Sequence, residues 1–269
     1  MAKLQSTEIV GVANRPATIC ANTMCLWFDT TALKPMASYC GFGLSAWSAG
    51  GALITGRRTL AGFGTQNEAL AAGGYAICSC TEEYNGTSWV AGGALITGRG
   101  VLAGAGTQNA GLVTGGHPSV SCTEEYNGTS WSAGGALITA RYHLAGAGTQ
   151  NAGLAMGGLI LSSGGTSCTE EYNGVSWSIG GALATGRYIS AGAGTQNAGL
   201  VAAGQSNVTL SFTEEYNGTS WSVGGNLITA RNCLAGAGTQ NAGLAIGGYN
   251  SLSCTEESTK PIVIIDCIL

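Results

Sequence analysis

The sequence predicts an all-β propeller built of four-stranded blades. Three observations carry that reading. Trp47, Trp89, Trp131, Trp177 and Trp221 mark the same place in successive copies of one repeat, at intervals of 42, 42, 46 and 44 residues. A fixed period of this size is the signature of a repeat architecture. Each copy also holds short strand-like runs separated by turn signals, and four strands in roughly 44 residues select a propeller with one repeat per blade. Finally, the chain has 46 glycines and only 9% charged residues. Its apolar and aromatic residues nevertheless recur at fixed places, a regularity that disordered chains lack.

Taken in order, residues 1–43 are not a clear copy of the repeat. Their strand-like runs TEIVGVA (7–13), MCLWFDT (24–30) and ALKPMASY (32–39) predict an N-terminal meander, either a degenerate blade or a docking segment. The repeats fill 44–257. Within a copy, LAGAGTQ (144–150) predicts a first strand whose small residues let backbones approach closely, as near a crowded axis. AGLAMGG (152–158), closed by a glycine pair, predicts the second, and SCTEEY (121–126) the third. Asn127-Gly128 signals a type I′ hairpin turn into the fourth strand, TSWSAGG (129–135). GALITAR (135–141) then links to the next copy. Residues 258–269, with the apolar run PIVIIDCIL (261–269), predict a closing strand. If residues 44–50 complete the last blade, the ring has five blades. If 261–269 complete it, residues 1–50 form a sixth. Six is favoured over five, because it leaves no apolar strand as an open edge.

Bulk chemistry removes several functions. The net charge is −4 with no basic cluster, so no nucleic-acid partner is expected. No apolar stretch reaches the length of a membrane span, and no membrane insertion is expected. The N-terminus lacks the apolar segment of a signal peptide, which predicts assembly in a cytoplasm. Of the ten cysteines, Cys80, Cys122, Cys168 and Cys254 share one repeat position that Phe212 takes in another copy. A site that accepts Cys or Phe predicts a buried apolar group, and equivalent cysteines in neighbouring repeats lie too far apart to bridge.

A known pattern is met at the spaced residues of each copy. Gly73-Gly74, Tyr84, Trp89 and Arg99 recur as Gly115-Gly116, Tyr126, Trp131 and Arg141, then as Gly157-Gly158, Tyr172, Trp177 and Arg187. The next copy has Ala203-Gly204 before Tyr216, Trp221 and Arg231; the last keeps Gly247-Gly248 but has Ser258 in place of Tyr and no Trp. Residues 44–257 thus resemble the kelch repeat. The wording TEEYNGTSW…GTQNAGL also resembles kelch-like proteins of marine bacterial viruses. The leader LWFDTTALK (26–34) is similar to a segment common in phage tail and fibre proteins. The resemblance implies a virion structural or adhesion protein, of tail or fibre, or a capsid decoration protein. It implies other virion proteins as partners, and a host cell-surface glycan or protein as a further one.

Candidate chemistry is thin. The glutamate pairs at 82–83, 124–125, 170–171, 214–215 and 256–257 could suggest acid–base work. Neighbours on a strand point to opposite faces, however, so a pair cannot address one substrate. Pairing with the repeated arginines is the expected role. The alternative for Arg57, Arg99, Arg141, Arg187 and Arg231 is a cationic ring at the channel mouth. His117 and His143 are the only histidines. Isolated as they are, they make no copper site of the kind the kelch-fold oxidase uses. The only aspartates, Asp29 and Asp266, lie near the ends, so no Ser-His-Asp set can be assembled. No catalytic residue, metal or cofactor is expected.

The functional clue is where the copies differ. GTQN is identical in all five copies and the YNG turn is kept in four. Variation collects just after the Arg (Arg58-Thr59, Gly100-Val101, Tyr142-His143, Tyr188-Ile189, Asn232-Cys233) and in the loop after the glycine pair (75–79, 117–121, 159–167, 205–211, 249–253). In an up-down blade both places emerge on one face. Binding usually resides on variable loops carried by a rigid scaffold. The predicted binding residues are Tyr75, Arg99, His117, Arg141, Tyr142, His143, Arg187, Tyr188, Gln205, Asn232 and Tyr249.

Overall fold

The structure is a computed structural model and describes residues 25–29, 34–38, 49–249 and 255–259. The chain divides into two compact units, Met1–Ala49 and Gly50–Leu269. In the first unit Cys25–Asp29 pairs antiparallel with Lys34–Ser38, matching two of the three strand-like runs. The third run, 7–13, lies outside the described residues.

The second unit is the propeller. Blade 1 comprises Ala61–Gly64, Ala69–Ala72, Thr81–Tyr84 and Trp89–Ala91, each strand antiparallel to the next. Blade 2 repeats this with Ala103–Thr107, Ala110–Thr114, Thr123–Tyr126 and Trp131–Ala133. Blade 3 follows with Ala145–Thr149, Ala152–Met156, Thr169–Tyr172 and Trp177–Ile179. Blade 4 has Ala191–Thr195, Ala198–Ala202, Phe212–Tyr216 and Trp221–Asn226. Blade 5 shows three strands, Ala235–Gly238, Ala242–Ile246 and Thr255–Thr259. The described residues contain no helix. Five sheets use all the repeats, so the preference for six blades gives way to five: the described part of residues 1–50 supplies a two-stranded hairpin rather than a blade. Of the two predicted closing strands, 261–269 and the first five residues of 44–50 fall outside the described residues, and 49–50 are not in a strand.

The inner strands are made of Gly and Ala because the axis is crowded. A Cβ on Gly146 would come within 2.7 Å of the Gly104 carbonyl oxygen in the preceding blade, and one on Gly192 within 2.6 Å of that of Gly146. The five inner strands surround an axial cavity of about 490 Å³. The seam between blades 5 and 1 is packed differently. Ala235 is exposed where Ala103, Ala145 and Ala191 are buried, and a Cβ on Gly62 would meet only Leu60, at 3.9 Å.

Between consecutive blades the invariant residues act as clamps. Gln150 of blade 3 donates through Nε2 to the carbonyls of Gly111 (3.1 Å) and Tyr126 (2.8 Å) in blade 2. Gln108, Gln196 and Gln240 do the same at the other described junctions. Trp131 Nε1 donates to Thr81 Oγ1 of the preceding blade at 2.9 Å, and Trp177 and Trp221 repeat that bond to Thr123 and Thr169. Leucines fill the space between sheets, with Leu70, Leu112 and Leu154 almost fully buried.

The hairpin predicted at Asn127-Gly128 is present, but it is not type I′. The connection has four residues, Asn127–Ser130, and of these only Gly128 has a positive φ, at 88°. Asn127 Oδ1 accepts from the Thr129 and Ser130 amides at 3.0 and 2.9 Å, while the Asn127 N–H donates to the Ser130 carbonyl at 3.2 Å. The carboxamide thus takes the place of a backbone group, the Asx-turn chemistry of asparagine. Val175 replaces Thr in the blade 3 turn without altering this pattern, because only its amide takes part.

Candidate functional face

Each blade sends its GTQN turn, and blades 1 to 4 their Asn-Gly turn, to one face. The loop after the glycine pair and the link to the next blade emerge on the other, as the strand order requires. The two variable segments meet there: Gly100 bridges His117, Tyr142 bridges Leu159, and Tyr188 bridges Gln205. In blade 3 the longer loop forms its own small hairpin, Leu159–Ile160 with Gly164–Gly165.

The repeated charges are withdrawn from this face. Arg99, Arg141 and Arg187, predicted as binding residues, have 0% exposure. They pair with Glu124, Glu170 and Glu214, as Arg57 and Arg231 do with Glu82 and Glu256. The cationic ring is therefore replaced by four buried ion pairs and a fifth, Arg231–Glu256, whose carboxylate is partly exposed, because each carboxylate also accepts two backbone amides of the incoming link. Glu124, for example, takes those of Ile96 and Thr97. Burial raises the Glu82 carboxyl, but Arg57 and the amides of Ile54 and Thr55 outweigh it and hold the pKa below its ordinary value. The Arg187 guanidinium is lowered by burial, with Glu214 opposing.

The second glutamate of each pair points the other way, as alternation on a strand dictates. Glu83, Glu125 and Glu171 accept from the hydroxyls of Tyr126, Tyr172 and Tyr216 in the following blade. Burial, then the neighbouring carboxylate, pushes the Tyr126 and Tyr172 hydroxyls up to about 12. Eight of the ten paired glutamates are thus engaged with a named arginine or tyrosine.

The remaining predicted residues do reach the face. Tyr75 is exposed, with the Arg58 guanidinium 4.2 Å above its ring. His117, Tyr142, His143 and Tyr188 form a continuous aromatic arc across blades 2 to 4, with successive ring centroids 5.6, 5.2 and 6.3 Å apart. Burial, and to a lesser degree the proximity of His117, lowers the His143 pKa. Beyond the arc, Gln205 Oε1 accepts from Asn232 Nδ2 at 2.8 Å and from Thr209 Oγ1 at 3.0 Å. Tyr249 is exposed, and its amide donates to the Asn232 carbonyl. Among the described residues Arg58 is the exposed charge on this face.

Three features were not foreseen. Cys78, in the variable loop of blade 1, is joined by a disulfide to Cys80 just beyond it, and Cys80 is half-buried rather than the buried apolar group its repeat position predicted. Cys122 and Cys168 at the equivalent position are free and half-buried; Cys254 is not among the described residues. Phe212 lies against the Arg187 guanidinium at 4.5 Å. The third feature is a collar at the axis. Thr59, Val101, His143, Ile189 and Cys233 each stand two residues after the repeated Arg, and all have left-handed backbones with φ between 49° and 58°. The Val101 amide donates to the Thr59 carbonyl, His143 to Val101, Ile189 to His143 and Cys233 to Ile189, at 2.8–3.0 Å. The pairs were visible as variable positions, but nothing in a Thr, Val or Ile announces a left-handed backbone.

No known protein family matches the chain, and no curated protein shows significant similarity to it. Among the described residues no three His, Cys, Asp or Glu side chains cluster as a metal site would require.

Proposed function

We propose that the protein is a non-enzymatic binding propeller of a virus particle, a tail or fibre component that contacts a partner through its variable face. One observation supports the binding half of this reading. The invariant residues are engaged in clamps between and within blades, whereas the residues that differ from copy to copy collect at loops on one face of that scaffold. The face offers aromatic, amide and hydroxyl groups with little charge, a mixture suited to an uncharged glycan or protein surface. The viral half rests on the resemblance of the repeat wording and of LWFDTTALK to virion proteins. Peptide mass spectrometry of purified particles tests it: stoichiometric recovery of the chain is expected. Its absence from particles would leave an intracellular interaction module, or a carbohydrate-active propeller if purified protein turned over sugars.

A further inference from the structure

The collar is the most strained repeated feature of the ring. A left-handed backbone is an outlier for β-branched residues, and three of its five members are Thr, Val and Ile. Apart from Ala76, Ile77 and Ala203, every other described residue with such a backbone is glycine. Glycine would hold this conformation without strain. A chain with 46 glycines thus places a side chain at all five collar positions, and a different one each time. Backbone strain kept in this way is an observation from which function can be inferred.

These side chains rim a cavity of about 410 Å³ on the axis at the variable face. Leu60, Leu102, Leu144, Leu234 and, in the equivalent place of blade 4, Ser190 line it beneath the collar, and no charged side chain lines it. The five rim residues differ, so the opening is asymmetric and suits one inserted group rather than a fivefold partner. Its volume lies in the lower part of the range of small-molecule sites. Largely apolar walls, with the buried Ser190 hydroxyl among them and the Thr59 hydroxyl and His143 imidazole at the rim, suit a flat apolar body carrying one hydrogen-bonding group.

We propose that this axial mouth is a binding site for a single uncharged phenol-sized group, supplied either by a free small molecule or by an aromatic side chain of the partner. The inference deepens the reading of the variable face as a contact face and rests on it. The experiment is binding of p-cresol to the full chain, followed by ligand-observed NMR and by the His143 imidazole signals. Saturable binding that moves His143 is expected, with 4-methylbenzoate at least tenfold weaker. Val101→Trp and, separately, Cys233→Trp fill the mouth and should abolish binding. Ile189→Gly should weaken binding about fivefold without lowering the melting temperature, since it relieves strain; a merely structural side chain would lower it. If termini-blocked Gly-Tyr-Gly competes with p-cresol, the partner's side chain is the source; if p-cresol binds and the peptide does not, it is a free small molecule. Absence of p-cresol binding, or binding unchanged in both Trp variants, overturns the site. A failure of the face reading is told apart by particle analysis and by loop variants that leave partner capture intact.

Discussion

The two faces of the propeller carry similar numbers of loops but differ in what those loops touch. On one face the GTQN and Asn-Gly turns are tied down. Gln150 holds two carbonyls of the preceding blade, Asn127 closes its own turn, and a Cβ on Gly128 would come within 3.1 Å of Asn109 Oδ1. On the other face Tyr75, His117, Leu161 and Tyr249 are exposed, and sequence varies freely. The difference teaches that identity between copies here records nonlocal hydrogen bonds. A residue repeats because each blade must grip the one before it in the same way.

The comparison can be broken most forcefully at the links. Arg141→Ala leaves Glu170 buried without its cation and should cost about 3–5 kcal/mol, read by urea denaturation. A loss below 1 kcal/mol would show that the pair is not part of the scaffold. Gln150→Ala should come next, at about 1–3 kcal/mol, because two carbonyls at the blade junction lose their donor. Asn127→Ala, confined to one turn, should cost about 1 kcal/mol.

The pH dependence sharpens the scaffold side. Glu82 is held below its ordinary pKa, so its stabilising contribution is present above the unfolded carboxylate value, about 4.3, and is lost as pH falls through the lower folded one. Tyr126 and Tyr172 are raised to about 12, so theirs is present below an unfolded value of about 10 and is lost between there and about 12. Thermal melts across pH should therefore fall off at both ends. Tyr126→Phe should reduce the alkaline fall, and a profile identical to wild type above pH 10 would contradict the assignment.

Much of this was legible in the sequence. The strands, the blade period and the two-sided distribution of variation follow from residue spacing and alternation, which are local properties. The pairing of Arg with Glu was also expected, but the use of Arg99, Arg141 and Arg187 on the binding face was not compatible with it; burial is decided by a carboxylate some 25 to 29 residues away. GTQN was visibly invariant, yet the two partners of its Gln lie 24 and 39 to 43 residues earlier in the chain and leave no local mark. Asn127-Gly128 announced a hairpin but not its length, because the side-chain bonds of Asn127 stabilise a four-residue loop that the dipeptide alone does not specify. The collar was hidden because its φ values run against the preferences of its own residues.

The most direct measurement compares the two faces in one instrument. Calorimetric melting is recorded for the single variant Gln150→Ala and for a chain with Tyr75, His117, Leu161 and Tyr249 all changed to serine. The clamp variant should melt lower by roughly 2–12 °C, given about 1–3 kcal/mol and a chain of this size. The fourfold variant of the variable face should stay closer to wild type than that single change does. The reverse order would contradict the division of the propeller into an invariant scaffold and a variable contact face.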